Sequence, residues 1–264
     1  MKTKNILKLA VILFAIVFTS CSKEEFVVIF NKSEGINIPS QTVTGGKKII
    51  KPNNPRGFII DEWYKEAELV NLWNFDTDVV TANITLYGNW DFNPQIIFAT
   101  EVVDATSDFV GVFAQLWAGA YGGGIQMMTQ PSRKDNFHVV FPDVISNEFL
   151  GPLKNAFWPT SLLNYNGVVL SDSEVQTGTV LLHASSRTDG SYGIGLLELI
   201  SDDWFVQYIY LDKSFTAEGN SQHSVESACF FKKGWNIMYV KKDYSKITTK
   251  RPLNENFKWY FRKY

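Results

Sequence analysis

The sequence predicts an all-β protein, with a small module followed by a larger sandwich-like or barrel-like domain. Three observations carry this expectation. Aromatic residues make up 15% of the 264 residues, and Trp, Tyr and Phe favour strands, where rings pack across a pleated face. Short apolar or alternating runs recur along the chain, separated by turn compositions such as "SRTDGS", "SDD" and "TAEGN". The one stretch with weak helical spacing, "SNEFLGPLKNAF", is interrupted by Gly151-Pro152 and reads as a loop or one short turn of helix. The composition is ordinary for a globular protein, 45% hydrophobic and 20% charged, and allows one large domain or two smaller ones. A formal net charge of -2 argues against a nucleic-acid partner, because such binders use excess Lys and Arg to displace phosphate counterions.

The first twenty residues stand apart from the fold. Lys2, Lys4 and Lys8 precede an apolar run from Leu9 to Phe18. A basic start and a short apolar core followed by small residues form a secretory signal peptide. The run is shorter than the roughly 20 residues that span a bilayer. Thr19-Ser20 followed by Cys21 resembles the bacterial lipoprotein cleavage box, with Phe18 where Leu is usual. The resemblance implies that Cys21 becomes the mature N-terminus and carries acyl chains, so that the membrane is a partner through a lipid anchor. More than one chain makes such an anchor stable, at about 0.8 kcal/mol per buried methylene. A plain secretory signal with an incidental Cys is the alternative. Residues 21–25 are then the lipidated Cys and an acidic linker. "SKEEF" resembles the lipoprotein export signal of Bacteroidetes, which implies the outer membrane and its extracellular face; a solvated charged linker is the other reading. With Cys21 acylated, Cys229 has no disulfide partner and reads as a small buried hydrophobe.

Residues 26–90 form the small module. "FVVIFN" places Phe26, Val28 and Phe30 on one face at period two, the mark of a strand. "KSEG" and "TGG" are turn signals, and "KPNNPRG" is a loop because Pro52 and Pro55 interrupt any ladder. "FIIDEWY" is a second aromatic strand, and "NITLYGNW" alternates as the closing one. This succession closely resembles the Listeria–Bacteroides repeat, also called the internalin B-repeat. The matching positions are Trp63-Tyr64, Trp73, Phe75, Thr77-Asp78, Ile84 to Tyr87 and Trp90. Glu62 departs from the usual Gly, and "KSEG" from an Asn-Gly-Gly turn. The resemblance implies a β-grasp-like module of a surface or secreted protein, without catalytic residues. One copy is visible, which excludes a long repeated stalk. Within "WNFDTD", Asp76 and Asp78 read as turn residues whose side chains bond neighbouring amides, not as an acid/base pair.

Residues 91–264 form the larger β-sandwich-like domain. Strand candidates are "IIFATEVV", "DFVGVFAQL", "FHVVF", "GTVLLHAS", "YGIGLLELI", "WFVQYIYL", "ESACFF", "WNIMYV" and "FKWYFRK". "GAYGGG" lacks the Lys-Ser or Lys-Thr of a phosphate cradle and reads as a hairpin loop. Trp117 and Tyr121 could stack on a sugar ring, but core-facing strand positions are the better reading. His138, His183 and His223 show no metal-ligand spacing, and satisfied core or surface histidines are the default; capture of haem or metal with Met127 or Met128 is the rival reading. No GxSxG elbow is present. Asp61-Glu62 and Asp202-Asp203 are adjacent, and neighbours on a strand point to opposite faces. "KKDYSKITTKRP" is locally basic, an attraction for anionic glycans or a solvated face.

The site expectations reduce to lipidation at Cys21, with no catalytic, cofactor-binding or metal-binding residue. The functional expectation is a non-enzymatic, lipid-anchored envelope lipoprotein of the outer membrane surface that binds or adheres to a glycan or a host or cell-surface protein. A secreted carbohydrate-active enzyme and an envelope spacer without ligand are the alternatives.

Overall fold

The structure is a computed structural model. It describes residues 23–31, 37–99, 101–105, 109–118, 125–132, 137–156, 160, 163, 168–188, 191–219, 224–225 and 229–264. Residues 1–22, among them Cys21, all of "KSEG" and the "GAYGGG" segment lie outside the described residues. The chain divides into two units, residues 1–55 with 60–90, and residues 56–59 with 91–264. The fold is all-β, and no α-helix occurs among the described residues. The stretch with weak helical spacing forms two short 3-10 turns, Asn147–Phe149 and Leu153–Asn155, on either side of Gly151-Pro152.

The first unit is a four-stranded sheet of β1 (Glu25–Phe30), β2 (Gln41–Thr44), β3 (Phe58–Tyr64) and β4 (Ile84–Phe92), in the order β2-β1-β4-β3. The central pair is parallel, with Val28 opposite Ile84 and Phe30 opposite Leu86. β2 joins β1 antiparallel, with Phe26 opposite Val43. Period-two alternation sorts the side chains: Val28, Phe30 and Leu86 are wholly buried, while Val27 and Ile29 face outward. Loop residues close the core where a helix is absent, with Ile38, Ile49, Trp73 and Val80 buried. At its centre Phe30 meets the edge of Trp63 at 4.9 Å between ring centroids, the edge-to-face geometry that aromatic quadrupoles prefer.

The second unit comprises β5 (Ile96–Ala99), β6 (Val102–Val103), β7 (Phe109–Trp117), β8 (Ile125–Ser132), β9 (Phe137–Val140), β10 (Gly151–Pro152), β11 (Val169–Leu170), β12 (Gln176–Thr188), β13 (Ser191–Ile200), β14 (Trp204–Leu211), β15 (Phe215–Glu218), β16 (Ser224–Val225), β17 (Cys229–Phe231), β18 (Gly234–Lys241), β19 (Lys246–Thr248) and β20 (Lys258–Lys263). They form an eleven-stranded sheet, a three-stranded sheet β11-β15-β17 and a two-stranded sheet β5-β9. β12 organises the large sheet. Along one edge it pairs first with β14, Thr177 opposite Leu211, and then with β13, Leu182 opposite Leu197. Along the other it takes β10 and then β7. A strand that changes partners partway bends its sheet, and a register shift at Ser185/Ser186 adds twist.

Two small layers cover parts of this curled sheet. Ile209 and Leu211 of β14 share a core with Leu153, Phe215, Phe231, Met238 and Val240. The alternate residues Tyr208 and Tyr210 meet the rings of Phe141 and Trp235, respectively. Both faces of β14 are therefore buried, which is why "WFVQYIYL" runs nearly continuously apolar instead of alternating. Cys229 lies buried in the first of these cores, its Sγ 3.5 Å from the Ile247 carbonyl oxygen. Gly57 is constrained twice: its φ is +82°, and a Cβ there would lie 2.5 Å from the Phe98 Cβ.

Trp63 is 1% exposed, so Trp63→Ala should destabilise the first unit by about 3–5 kcal/mol. A lower urea midpoint with an unchanged slope is the expected result. An unchanged midpoint would mean that this ring does not hold the core.

Candidate functional site

One row of side chains crosses four strands of the second unit. Phe113 of β7 lies opposite His183 of β12, His183 opposite Leu196 of β13, and Leu196 opposite Arg262 of β20. Alternation puts Val112, Ala114 and Leu116 on the buried face of β7, and Phe113, Gln115 and Trp117 on the other. Trp117, opposite the buried Thr179, lies on the same face as the row and is half-buried. The His183 ring stacks on Phe113, with centroids 5.1 Å apart and planes 13° from parallel. Tyr264 flanks it at 6.3 Å. Arg262 pairs with Glu198 at 3.0 Å. Burial, then the negative charge of Glu198, push the Tyr264 phenol up.

His183 is the unusual member. It is 7% exposed, and its Nε2 has no hydrogen-bond partner among the described residues. Buried polar atoms are normally paired, so this nitrogen stands out among the described residues. Burial lowers its pKa below the ordinary imidazole value, which keeps the ring neutral at pH 7. The exposed Tyr264 and Arg262 and the half-buried Phe113, beside the buried neutral imidazole, suit stacking and hydrogen bonding to a ligand.

A second polar group is structural. The Tyr239 hydroxyl donates to Asp91, and burial followed by the Asp91 charge raises both Tyr239 and Tyr208. Both phenols therefore stay protonated. Arg251, whose Nη2 donates to the Glu255 carbonyl oxygen at 2.8 Å, lies over the Phe257 ring. The cluster fixes the start of the unit to β18.

In the first unit the two aspartates of "WNFDTD" belong to a turn closed by Asn74. The Asp76 amide donates to Asn74 Oδ1 at 2.8 Å, and the Asp78 amide to the Asn74 carbonyl oxygen at 2.8 Å. Lys65 reaches Asp78 at 3.0 Å and holds its carboxyl below the usual range, with the Asn74 amide assisting. The Lys65 ammonium also sits 5.5 Å from the Trp73 ring centroid, so cation, turn and core ring are one assembly.

Residues 26–89 match the Listeria-Bacteroides repeat domain. Over 80 residues, 30% of this chain, the sequence is 29% identical to each of two proteins of Evansella cellulosilytica, which are named as membrane proteins, one of them Gly-rich. That stretch amounts to 9% and 12% of their lengths, so the chain spans about a tenth of these curated relatives. No solved structure matches the chain significantly. Within the repeat domain Asp61 and Glu62 are both exposed on β3, and Glu62 accepts the Tyr64 hydroxyl at 2.5 Å.

Outside the repeat domain, Asp202 and Asp203 lie in the turn between β13 and β14, where strand alternation is no guide to their direction. His138 is half-buried on β9, opposite Phe98. Tyr121, His223 and the side chains of Met127 and Met128 lie outside the described residues. Among the described residues no three His, Cys, Asp or Glu side chains gather as a metal site. The basic stretch from Lys241 is partly offset, since Asp243 pairs with Lys241 at 3.7 Å and Lys246 sits over the Trp204 ring. Sequence reasoning missed Phe113, Glu198, Arg262 and Tyr264. The alternation of Tyr260, Arg262 and Tyr264 was the available signal, but only strand pairing brings these residues beside His183.

The unfolded chain should protonate His183 first as pH falls through about 6.5, because the folded value is lower. Stability is then lost below that pH and is fully present above it. His183→Gln should flatten the fall in melting temperature between pH 7.5 and 5.5; identical slopes in both proteins would contradict the neutral buried ring. Asn74→Ala should cost about 1 kcal/mol through the lost amide acceptor, read by urea unfolding of the first unit. No loss would show that Asn74 does not close the turn.

Proposed function

We propose that this protein is a non-enzymatic, lipid-anchored component of the bacterial cell envelope, displayed on the outer face of the outer membrane. Its second unit binds a glycan or cell-surface protein through the row around His183. The observation that carries the envelope reading is the match of residues 26–89 to the Listeria-Bacteroides repeat domain. The membrane-protein names of the two relatives and the leader-like residues 1–20 before Cys21 support it. The binding reading is supported by the exposed Tyr264 beside the half-buried Phe113, whose ring stacks on the buried His183. Glu198, on the same face, is engaged by Arg262; a pair of carboxylates working on a glycosidic bond would instead face each other at about 5–9 Å.

Mass spectrometry of the mature N-terminus should find acyl chains on Cys21, and the native protein should enter the detergent phase. An unmodified N-terminus in the aqueous phase would overturn the anchor. For binding, a glycan and matrix-protein array probed with the full chain should give hits that weaken roughly tenfold in Tyr264→Ala, the loss expected for one stacking ring of about 1.4 kcal/mol. Hits indifferent to that change would place the binding surface elsewhere.

A further inference from the structure

We infer that the end of the repeat domain formed by the Gly45-Gly46 turn lies against the lipid headgroups of the membrane that holds Cys21. The inference rests on the proposed acylation of Cys21 and adds to it a fixed contact surface and direction. The chain is tied into the fold very early, because the Gly45 amide donates to the Glu24 carbonyl oxygen at 2.7 Å. Only Ser22 and Lys23 separate Cys21 from that point. Three Cα steps span about 11 Å when fully extended. The headgroup region on each side of a bilayer is about 5–7 Å deep. With the acyl chains of Cys21 in the hydrocarbon, even a fully extended tether holds the turn within about 4–6 Å of the headgroup surface.

The residues at this end fit such a contact. The Gly46 amide donates to the Val80 carbonyl oxygen at 2.8 Å, and the Val80 amide to that of Lys47 at 2.9 Å, which joins the turn to the segment before β4. Lys23, Lys47 and Lys48 are exposed here, with Val79 40% exposed beside them. A Cβ on Gly46 would meet nothing within 4 Å, so the tip is open. Glu24 and Glu25 are exposed at the same end and offset the lysines. The surface therefore fits a zwitterionic headgroup layer, and the tether, not charge attraction, sets the contact.

The sheet gives the contact a direction. β1 runs away from the tether, and β4 runs parallel to it, with Val28 opposite Ile84. Asn89, five residues beyond Ile84, is at the opposite end of the sheet from Glu25. Eight residue steps at about 3.3 Å place those two levels roughly 26 Å apart.

The test uses the acylated full chain in phosphatidylcholine vesicles, in a Cys229→Ala background. A fluorophore is placed on Lys47→Cys or on Asn89→Cys, both exposed positions, and the quencher is a headgroup-labelled lipid. The label at 47 should be quenched at least threefold more than the label at 89, with little dependence on salt. A twelve-residue Gly-Ser insertion between Ser22 and Lys23 should erase the difference. Equal quenching at the two sites without the insertion, or stronger quenching at 89, would overturn the inference in protein whose acylation mass spectrometry has verified. Absence of acyl chains would instead overturn the anchor reading itself.

Discussion

The backbone pairing of β12 is the constraint on which the second unit depends. Thirteen residues of one strand engage β14 and β13 along one edge, and β10 and β7 along the other. Each amide and carbonyl so paired is satisfied away from water, and a one-residue slip would turn every side chain to the opposite face. That register puts Val180, Leu182 and Ala184 into the interior and leaves His183 beside Phe113 and Leu196. The position of the candidate site is thus a consequence of a ladder rather than of any local motif.

The two units hold their cores by different means. The repeat domain has few strands and covers its sheet with loops, so its stability leans on individual rings and turns. Phe30 against Trp63, and the Lys65, Asp78 and Trp73 assembly, are examples. The second unit instead buries both faces of its central strands. β14 and β18 contribute Ile209, Leu211, Met238 and Val240 to one core. Their alternate residues Tyr208, Tyr210 and Tyr239 are buried on the other side. A buried tyrosine needs a partner for its hydroxyl, and Asp91 serves Tyr239 in that role.

Much of the fold was legible in the sequence where side chains carry the signal. β1, β7, β13, β14, β18 and β20 are all strands with apolar or alternating runs, and they occur where those runs place them. β8 escaped notice because "IQMMTQPS" mixes Gln, Thr and Pro, and it pairs with β7 alone in the sheet. Such an outlying strand is held by main-chain bonds that leave no apolar pattern. β15 was hidden differently: "TAEGN" has turn composition, yet Phe215–Glu218 is the central strand between β11 and β17, with Phe215 and Ala217 buried. The site was less legible. His183 and Phe113 are far apart in sequence, and no periodicity within either strand encodes which residue of one faces which residue of the other. That the His183 Nε2 finds no partner among the described residues likewise depends on its surroundings, not on its neighbours in the chain.

These features describe a protein whose first unit is set by short-range turn chemistry and whose second unit is set by one long, fully paired strand. Native-state hydrogen exchange tests that claim directly. The amides of Val180 to Ala184 in β12 should be among the slowest to exchange in the second unit, together with those of β14, and clearly slower than those of β8. Exchange of the β12 amides as fast as those of β8 would contradict the account.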